Sequence, residues 1–257
     1  MPYTLVTGAS SGIGEEFAKQ LAKEGHDLIL VARTQDKLNQ LANTLKKSHN
    51  VQIEIISQDL SKNNSAEELF EKCKRFDINF IINNAGAGHI GEFEDQDLNE
   101  MEKMMLLNMI TPAKFIYLMI PMLQKNKGRC LNVASQIAFE PGPYMSGYTA
   151  TKAFMLSFTE SLREEFEDKG IKFYALCPGP TYTNFFKRAG TSPEAIRFKF
   201  RQPNEVVEAA LNGVENDKGI TIPGAENSIM TFMNRFLPRS LLAKLSSNFV
   251  KKEEVKK

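Results

Sequence analysis

Short apolar, β-branched runs recur at residues 4–6, 27–32, 51–57, 78–82, 129–134, 172–177 and 219–222. Each is bounded by turn-forming residues and too short for a buried helix, so the pattern predicts seven strands. The stretches between them place apolar residues one turn apart, as Phe17 and Leu21 are ahead of the stop at Gly25, and predict amphipathic helices. Strand, helix, strand repetition demands parallel pairing through right-handed crossovers with helices on both faces of the sheet. The expected fold is therefore an α/β, doubly wound, seven-stranded parallel sheet, one domain over residues 1–257. Two stretches fall outside the alternation: a segment at 182–202 and a tail at 225–257.

Composition narrows the function without naming it. A net charge of +1 with 25% charged residues leaves no broad basic field, which argues against a nucleic-acid partner and for small molecules and copies of the chain itself. Cys73, Cys130 and Cys177 are far apart in apolar surroundings and read as reduced core thiols of a cytoplasmic protein. His26, His49 and His89 show no ligand spacing, so no metal is expected. A strand begins directly after Met1 and Pro2, which argues against a signal peptide, and no apolar run reaches the about 18 residues of a membrane span.

The chemistry starts at Gly8-x-x-x-Gly12-x-Gly14, directly after the first strand and opening the first helix. Backbone N–H groups and the positive helix end attract phosphate there, and glycine lets the backbone come close. At the end of the second strand, where an acid would hold ribose hydroxyls, the chain reads Val31-Ala32-Arg33-Thr34. Arg33 can fork onto a 2′-phosphate, so the expected cofactor is NADP(H). The plainer reading is a solvated loop charge.

Tyr148 and Lys152 stand at i, i+4 on one helical face and can share a substrate. At about 5 Å and an effective dielectric of about 20, the ammonium favours the phenolate by roughly 3 kcal/mol, so the phenol is expected about two units below its usual value near 10. Tyr144 is set aside because Tyr148, not a lysine, follows it by four. Ser135 ends a strand at the carboxyl edge of the sheet, placed to bond a substrate oxygen; Ser146 lacks such a position. Asn108 precedes Pro112 by four, so its carbonyl loses a helical partner and can hold a water leading from Lys152 to solvent; alternatively Pro112 only kinks the helix.

Thr7-Gly-x-x-x-Gly-Ile-Gly14, Asn83-Asn-Ala-Gly86, Asn108, Ser135, Tyr148, Lys152 and Pro178-Gly-x-x-x-Thr183 together resemble the short-chain dehydrogenase/reductase family, in order, over residues 4–222. The resemblance implies a Rossmann-type fold, with Tyr148 as general acid/base and Ser135 positioning the carbonyl. Lys152 would hold the nicotinamide ribose and lower the Tyr148 pKa, and Asn108 would retain a relay water. It places Gly8, Gly12, Ile13 and Gly14 at the pyrophosphate, Asp59 at the adenine, and Asn84 and Gly86 on the adenosine side, with Ser10, Ser11, Leu60 and Ala85 among the cofactor-binding residues. Thr183 and the backbone of Thr181 would meet the carboxamide, Pro178 and Gly179 would join the cofactor-binding residues, and Arg33 matches the NADP-preferring branch. The implied function is an NADPH-dependent carbonyl reductase. The alternatives are a 3-oxoacyl thioester or ketosteroid reductase, or a non-catalytic NADPH-binding regulator.

Two regions stay open. In 182–202, Phe185, Phe186, Phe198 and Phe200 either wall the substrate, with Lys187, Arg188, Lys199 or Arg201 meeting an acidic group, or pack a lid whose cations face water. The tail mixes Phe232, Met233, Phe236, Leu237, Leu241, Leu242, Leu245 and Phe249 with Arg235, Arg239 and Lys244, and ends in four lysines and two glutamates. Such a basic amphipathic stretch can lie on a membrane, but Pro238 interrupts it, and packing on the domain or a neighbouring subunit is preferred. A homodimer or homotetramer is expected through the helices of Asn108 and Tyr148, where Met101, Met104, Met105, Met119 and Met122 offer apolar surface or simply fill the core.

Overall fold

A computed structural model describes residues 2–192, 194, 196 and 198–248. The chain runs β1 (Tyr3–Thr7), α1 (Gly12–Lys23), β2 (Asp27–Ala32), α2 (Gln35–Ser48), β3 (Ile53–Ser57), α3 (Ser65–Cys73), β4 (Ile78–Asn83), α4 (Leu98–Met105) and α5 (Thr111–Lys125). It continues through β5 (Arg129–Val133), α6 (Ser146–Phe166), β6 (Lys172–Leu176), the single turn α7 (Phe185–Arg188), α8 (Pro203–Glu215), β7 (Ile220–Thr221), α9 (Ala225–Asn234) and α10 (Arg239–Ser246). All seven strands pair in parallel in the order β3-β2-β1-β4-β5-β6-β7, so winding reverses between β1 and β4 and opens a crevice at their carboxyl ends. The expected strand at 219–222 shrinks to two residues, pairing with Ala175 and Leu176.

Because helices cover both faces, neighbouring strand residues are apolar in both directions. Val6, Leu28, Leu30 and Ile82 pack with Phe17, Leu38 and Val207 on one side, while Leu5, Ile29, Ile81 and Cys130 pack with Phe115, Met119 and Phe166 on the other. Full burial of such a side chain stabilises by about 1.5–3 kcal/mol. The three cysteines are buried and unpaired, and burial pushes the thiols of Cys73 and Cys177 up to about 12.

α4 and α5 join through a widened, π-helical turn at Leu106–Ile110 into a continuous helix, Leu98–Lys125. Pro112 supplies no N–H to the Asn108 carbonyl, and the ladder widens where that bond is missing. This helix is long and apolar enough to cross a membrane, with a mean hydropathy of 1.5 over 18 residues, which corrects the expectation that no such segment exists. Asn108, Thr111 and Lys114 break the apolar run without lowering its average far. In the fold, Phe115, Ile116, Met119 and Leu123 of this helix belong to the core beneath the sheet. Of the five methionines expected at a subunit surface, Met104 and Met119 are buried.

Candidate active site

A cleft of about 800 Å³ opens over the carboxyl ends of β1, β4, β5 and β6. Its floor is the turn after β1. Gly8 and Gly12 hold φ of +68° and +61°, and a Cβ on Gly8 would stand 2.9 Å from the Ala85 Cα. Ser11 caps α1 through its backbone only, leaving the first N–H groups of the helix free of a side-chain acceptor. A glycine-rich cradle at a helix start whose cap residue leaves its side chain uncommitted to the helix N–H groups fits a diphosphate. Gly8, Ser10, Ser11, Gly12 and Ile13 line the cleft. Gly14, placed with them by resemblance, does not: a Cβ there would lie 2.4 Å from the Gly8 oxygen, so this glycine lets α1 pack against its own loop.

The turn after β4 forms the neighbouring wall. Thr7 Oγ1 accepts from the N–H groups of Asn84 and Ala85, both at 3.0 Å, and the Asn84 amide donates to the Thr7 carbonyl at 2.9 Å, so β1 and β4 are tied where the winding reverses. Asn84, Ala85 and Gly86 line the cleft, as do Asp59 and Leu60 after β3 and Pro178, Gly179, Thr181 and Thr183 after β6. Burial works against ionisation of Asp59, but two bonds from Ser61 and the nearby Arg33 guanidinium hold its carboxyl below the usual range.

Arg33 lines the cleft at this end. Beside it the sequence reading missed two cations. Lys37 comes one turn into α2, and Arg188, weighed only as a substrate contact, reaches from α7 to within 3.4 Å of Ser11 Oγ. Partial burial, then the neighbouring Arg33, lowers the Arg188 pKa. Two guanidinium groups brought toward each other at a phosphate cradle make a site for a further anion.

Ser135 follows β5, Tyr148 and Lys152 stand on α6, and all three face the cleft. Tyr144 and Ser146 do not line it. Lys152 is 5% exposed, and its ammonium donates to the Val133 carbonyl at 2.7 Å, lying 5.8 Å from the centre of the Tyr148 ring. Burial pushes this lysine down to about 8. The Tyr148 phenol is pushed up to about 12, again by burial, with the Ser135 hydroxyl beside it pulling the other way. That direction is opposite to the sequence expectation. The expected Coulomb gain assumed an ammonium aimed at the phenol, whereas this ammonium is bonded to a strand carbonyl and desolvation dominates.

Asn108 is 2% exposed and held by its side chain. Its Oδ1 accepts from Ala87 N–H at 3.0 Å; its Nδ2 donates to the Ala87 carbonyl at 2.8 Å and to Thr151 Oγ1 at 3.0 Å. Thr151 in turn donates to the Tyr148 carbonyl at 2.7 Å. A second cavity of about 20 Å³, bounded by Asn108, Pro112, Val133 and Lys152, has room for one water.

The segment after β6 combines both readings left open by the sequence; Pro193, Ala195 and Arg197 lie outside the described residues. Phe186 and Phe200 pack with Ile90, Met145 and Ala189 into a lid cluster, while Phe185 packs against Tyr148 with ring centres 5.2 Å apart and planes tilted by 48°. Phe185, Phe186 and Phe198 also line the cleft. Arg201 is removed as a substrate contact, because it pairs with Glu226 at 2.5 Å. Lys187 and Lys199 do not line the cleft. Gln136 and Glu140, not singled out in the sequence, add two buried polar side chains to the wall.

Comparison with known proteins agrees with this geometry. A family model described as short chain dehydrogenase matches residues 2–194. Very-long-chain 3-oxoacyl-CoA reductases are similar: that of Mus musculus is 30% identical over 97% of this chain and 80% of its own length. That of Rattus norvegicus is 32% identical over 68% of this chain, which spans 58% of the relative. A short-chain dehydrogenase from Sphingobium yanoikuyae, solved in complex with NADPH, superposes with a TM-score of 0.84 at 30% identity, covering 93% of this chain and 97% of that one. With the family's model matched across three quarters of the chain, its sheet order and its cleft in place, the protein belongs to the short-chain dehydrogenase/reductase family of oxidoreductases.

Proposed function

We propose that this chain reduces the ketone of a 3-oxoacyl thioester to the alcohol, using NADPH. The observation that carries the reading is a cleft that Ser135, Tyr148 and Lys152 share with a glycine-rich phosphate cradle. The expectation of a general carbonyl reductase is narrowed by the named relatives and by an apolar wall of Met101, Met104, Ile137, Met145, Phe185 and Phe198, suited to an acyl chain. Support for NADPH over NADH comes from Arg33, Lys37 and Arg188 at one end of the cleft and from the NADPH-bound structural relative.

Gly8, Ser10, Ser11, Gly12 and Ile13 would hold the pyrophosphate, Asp59 and Leu60 the adenine, Asn84, Ala85 and Gly86 the adenosine side, and Pro178, Gly179, Thr181 and Thr183 the nicotinamide amide. Bound there, NADPH supplies the hydride. At the substrate oxygen, Ser135 Oγ donates a hydrogen bond and Tyr148 gives up its proton. A phenol pushed up to about 12 keeps its proton at neutral pH, the form an acid needs before the step. At about 8, the Lys152 ammonium can return a proton to the phenolate left behind, through a water in the cavity bounded by Asn108.

Tyr148→Phe is expected to lower 3-oxoacyl-CoA-dependent NADPH oxidation by about 10³-fold or more while NADPH binding, followed by fluorescence, stays within about twofold. Turnover at the wild-type level would remove the phenol from the mechanism. A wild-type enzyme that ignores 3-oxoacyl thioesters but reduces simple ketones would leave the chemistry and remove the substrate.

A further inference from the structure

Helix α9 is inside out. Its inner face is polar: Asn227 and Thr231 are buried, Asn227 donates to the Pro223 carbonyl at 2.8 Å, and Asn234 donates to Glu140 Oε2 at 2.7 Å. Its outer face is apolar. Ile229, Phe232 and Met233, with Phe236 just beyond, are 54–69% exposed and fall within one 100° sector at helical spacing. α10 extends the surface, burying Leu242 and Ser246 while Leu241 and Leu245, at i, i+4, are 41% and 46% exposed beside the exposed Lys244. A helix on a water-facing surface has the reverse polarity, apolar side inward. Both segments therefore present a face built to be covered.

Charge says by what. Between Asn227 and Lys252 there is no Asp or Glu, and five cations: Arg235, Arg239, Lys244, Lys251 and Lys252. The first three are exposed, and the last two lie outside the described residues. A second copy meeting this face about a twofold axis would set these cations against their own equivalents. An anionic lipid surface takes up the phenylalanines and leucines and neutralises the cations together. We infer that α9 and α10 form a peripheral docking face for anionic membranes, with Phe232, Phe236 and Leu241 entering the headgroup boundary. Pro238, read in the sequence as an interruption, separates two helices that both expose this surface.

The face adjoins the cleft. Met230 of α9 lines it, one residue from exposed Ile229. Docking through α9 would thus bring the substrate opening next to lipid.

The test is co-sedimentation of the full chain with vesicles of phosphatidylcholine alone or mixed with phosphatidylglycerol. The expected result is binding to the mixed vesicles, weakened by salt. The double variant F232S/F236S should lower the partition coefficient by about tenfold or more, and R235E/R239E should abolish the preference for anionic lipid. Thermal melts at the wild-type temperature would show that both variants are folded, as expected for exposed positions. Absence of binding to either vesicle, or binding unaltered in both variants, would overturn the inference. So would a wild-type dimer in sedimentation velocity that F232S/F236S converts to monomer without any lipid binding, since a second copy would then be the cover.

Discussion

Lys152 keeps an ammonium 5% exposed against a backbone carbonyl, and its pKa records the cost. The gap between an ordinary 10.5 and about 8 is worth roughly 3 kcal/mol against folding while the group is charged. The unfolded chain binds more protons between these values, so this cost is full below about 8 and is relieved as the pH rises toward 10.5. Lys152→Met is therefore expected to melt higher than wild type near neutral pH, with the difference shrinking as the pH is raised from 8 to 10, and to be inactive. Calorimetric melts across that range check it. A second expectation concerns Arg188: Arg188→Ala should weaken NADPH binding by about tenfold or more and leave NADH unchanged, in a fluorescence titration, as loss of one charged hydrogen bond would do. Equal losses for both cofactors would place Arg188 elsewhere. Tyr148 and Lys152 were legible as a pair because i, i+4 spacing fixes a shared face. The direction of their pKa shifts was not, because spacing carries no information on how deeply α6 is buried or on the Val133 carbonyl that takes the ammonium.

The elements differ in how far the sequence disclosed them. The turn from β1 into α1 was readable in full, since positive φ at Gly8 and Gly12 demands glycine. Gly14 does not line the cleft, and the motif alone could not say so, because a glycine needed for packing and one needed for a ligand look alike there. Gly14→Ala is expected to lose about 1–3 kcal/mol in thermal unfolding, since its new methyl would press on the backbone of Gly8 and the Asn84 amide. A stable Gly14→Ala variant would show that α1 can shift away from its loop. The widened turn at Leu106–Ile110 was half readable: Pro112 announced a disrupted ladder, but Ala87, which takes both ends of the Asn108 amide, lies 21 residues away on the turn after β4. The apolar length of Leu98–Lys125 was hidden by polar residues that the fold uses internally, Asn108 to hold Ala87 and Thr111 to bond the Leu60 carbonyl.

At the scale of the whole molecule, helix Leu98–Lys125 and α6 leave Ile110, Tyr117 and Phe154 exposed, at 45%, 75% and 38%. We propose that copies of the chain pair through these helices, and Tyr117→Glu with Phe154→Glu is expected to reduce the sedimenting mass to that of a monomer. A mass unchanged by the pair would move the interface elsewhere. The tail shows where composition stops being informative: its residues announced an amphipathic segment, but not which side turns outward. The inward side meets Glu140, 94 residues upstream of Asn234, a partner that the tail's own composition does not disclose. Burial raises the pKa of this carboxyl, and besides Asn234 of α9 it has the Ser246 hydroxyl of α10 beside it. The same Glu140 lines the reaction chamber. One carboxyl group thus fastens the outermost two helices and the wall of the cleft alike, as a single nail holds both sides of a joint.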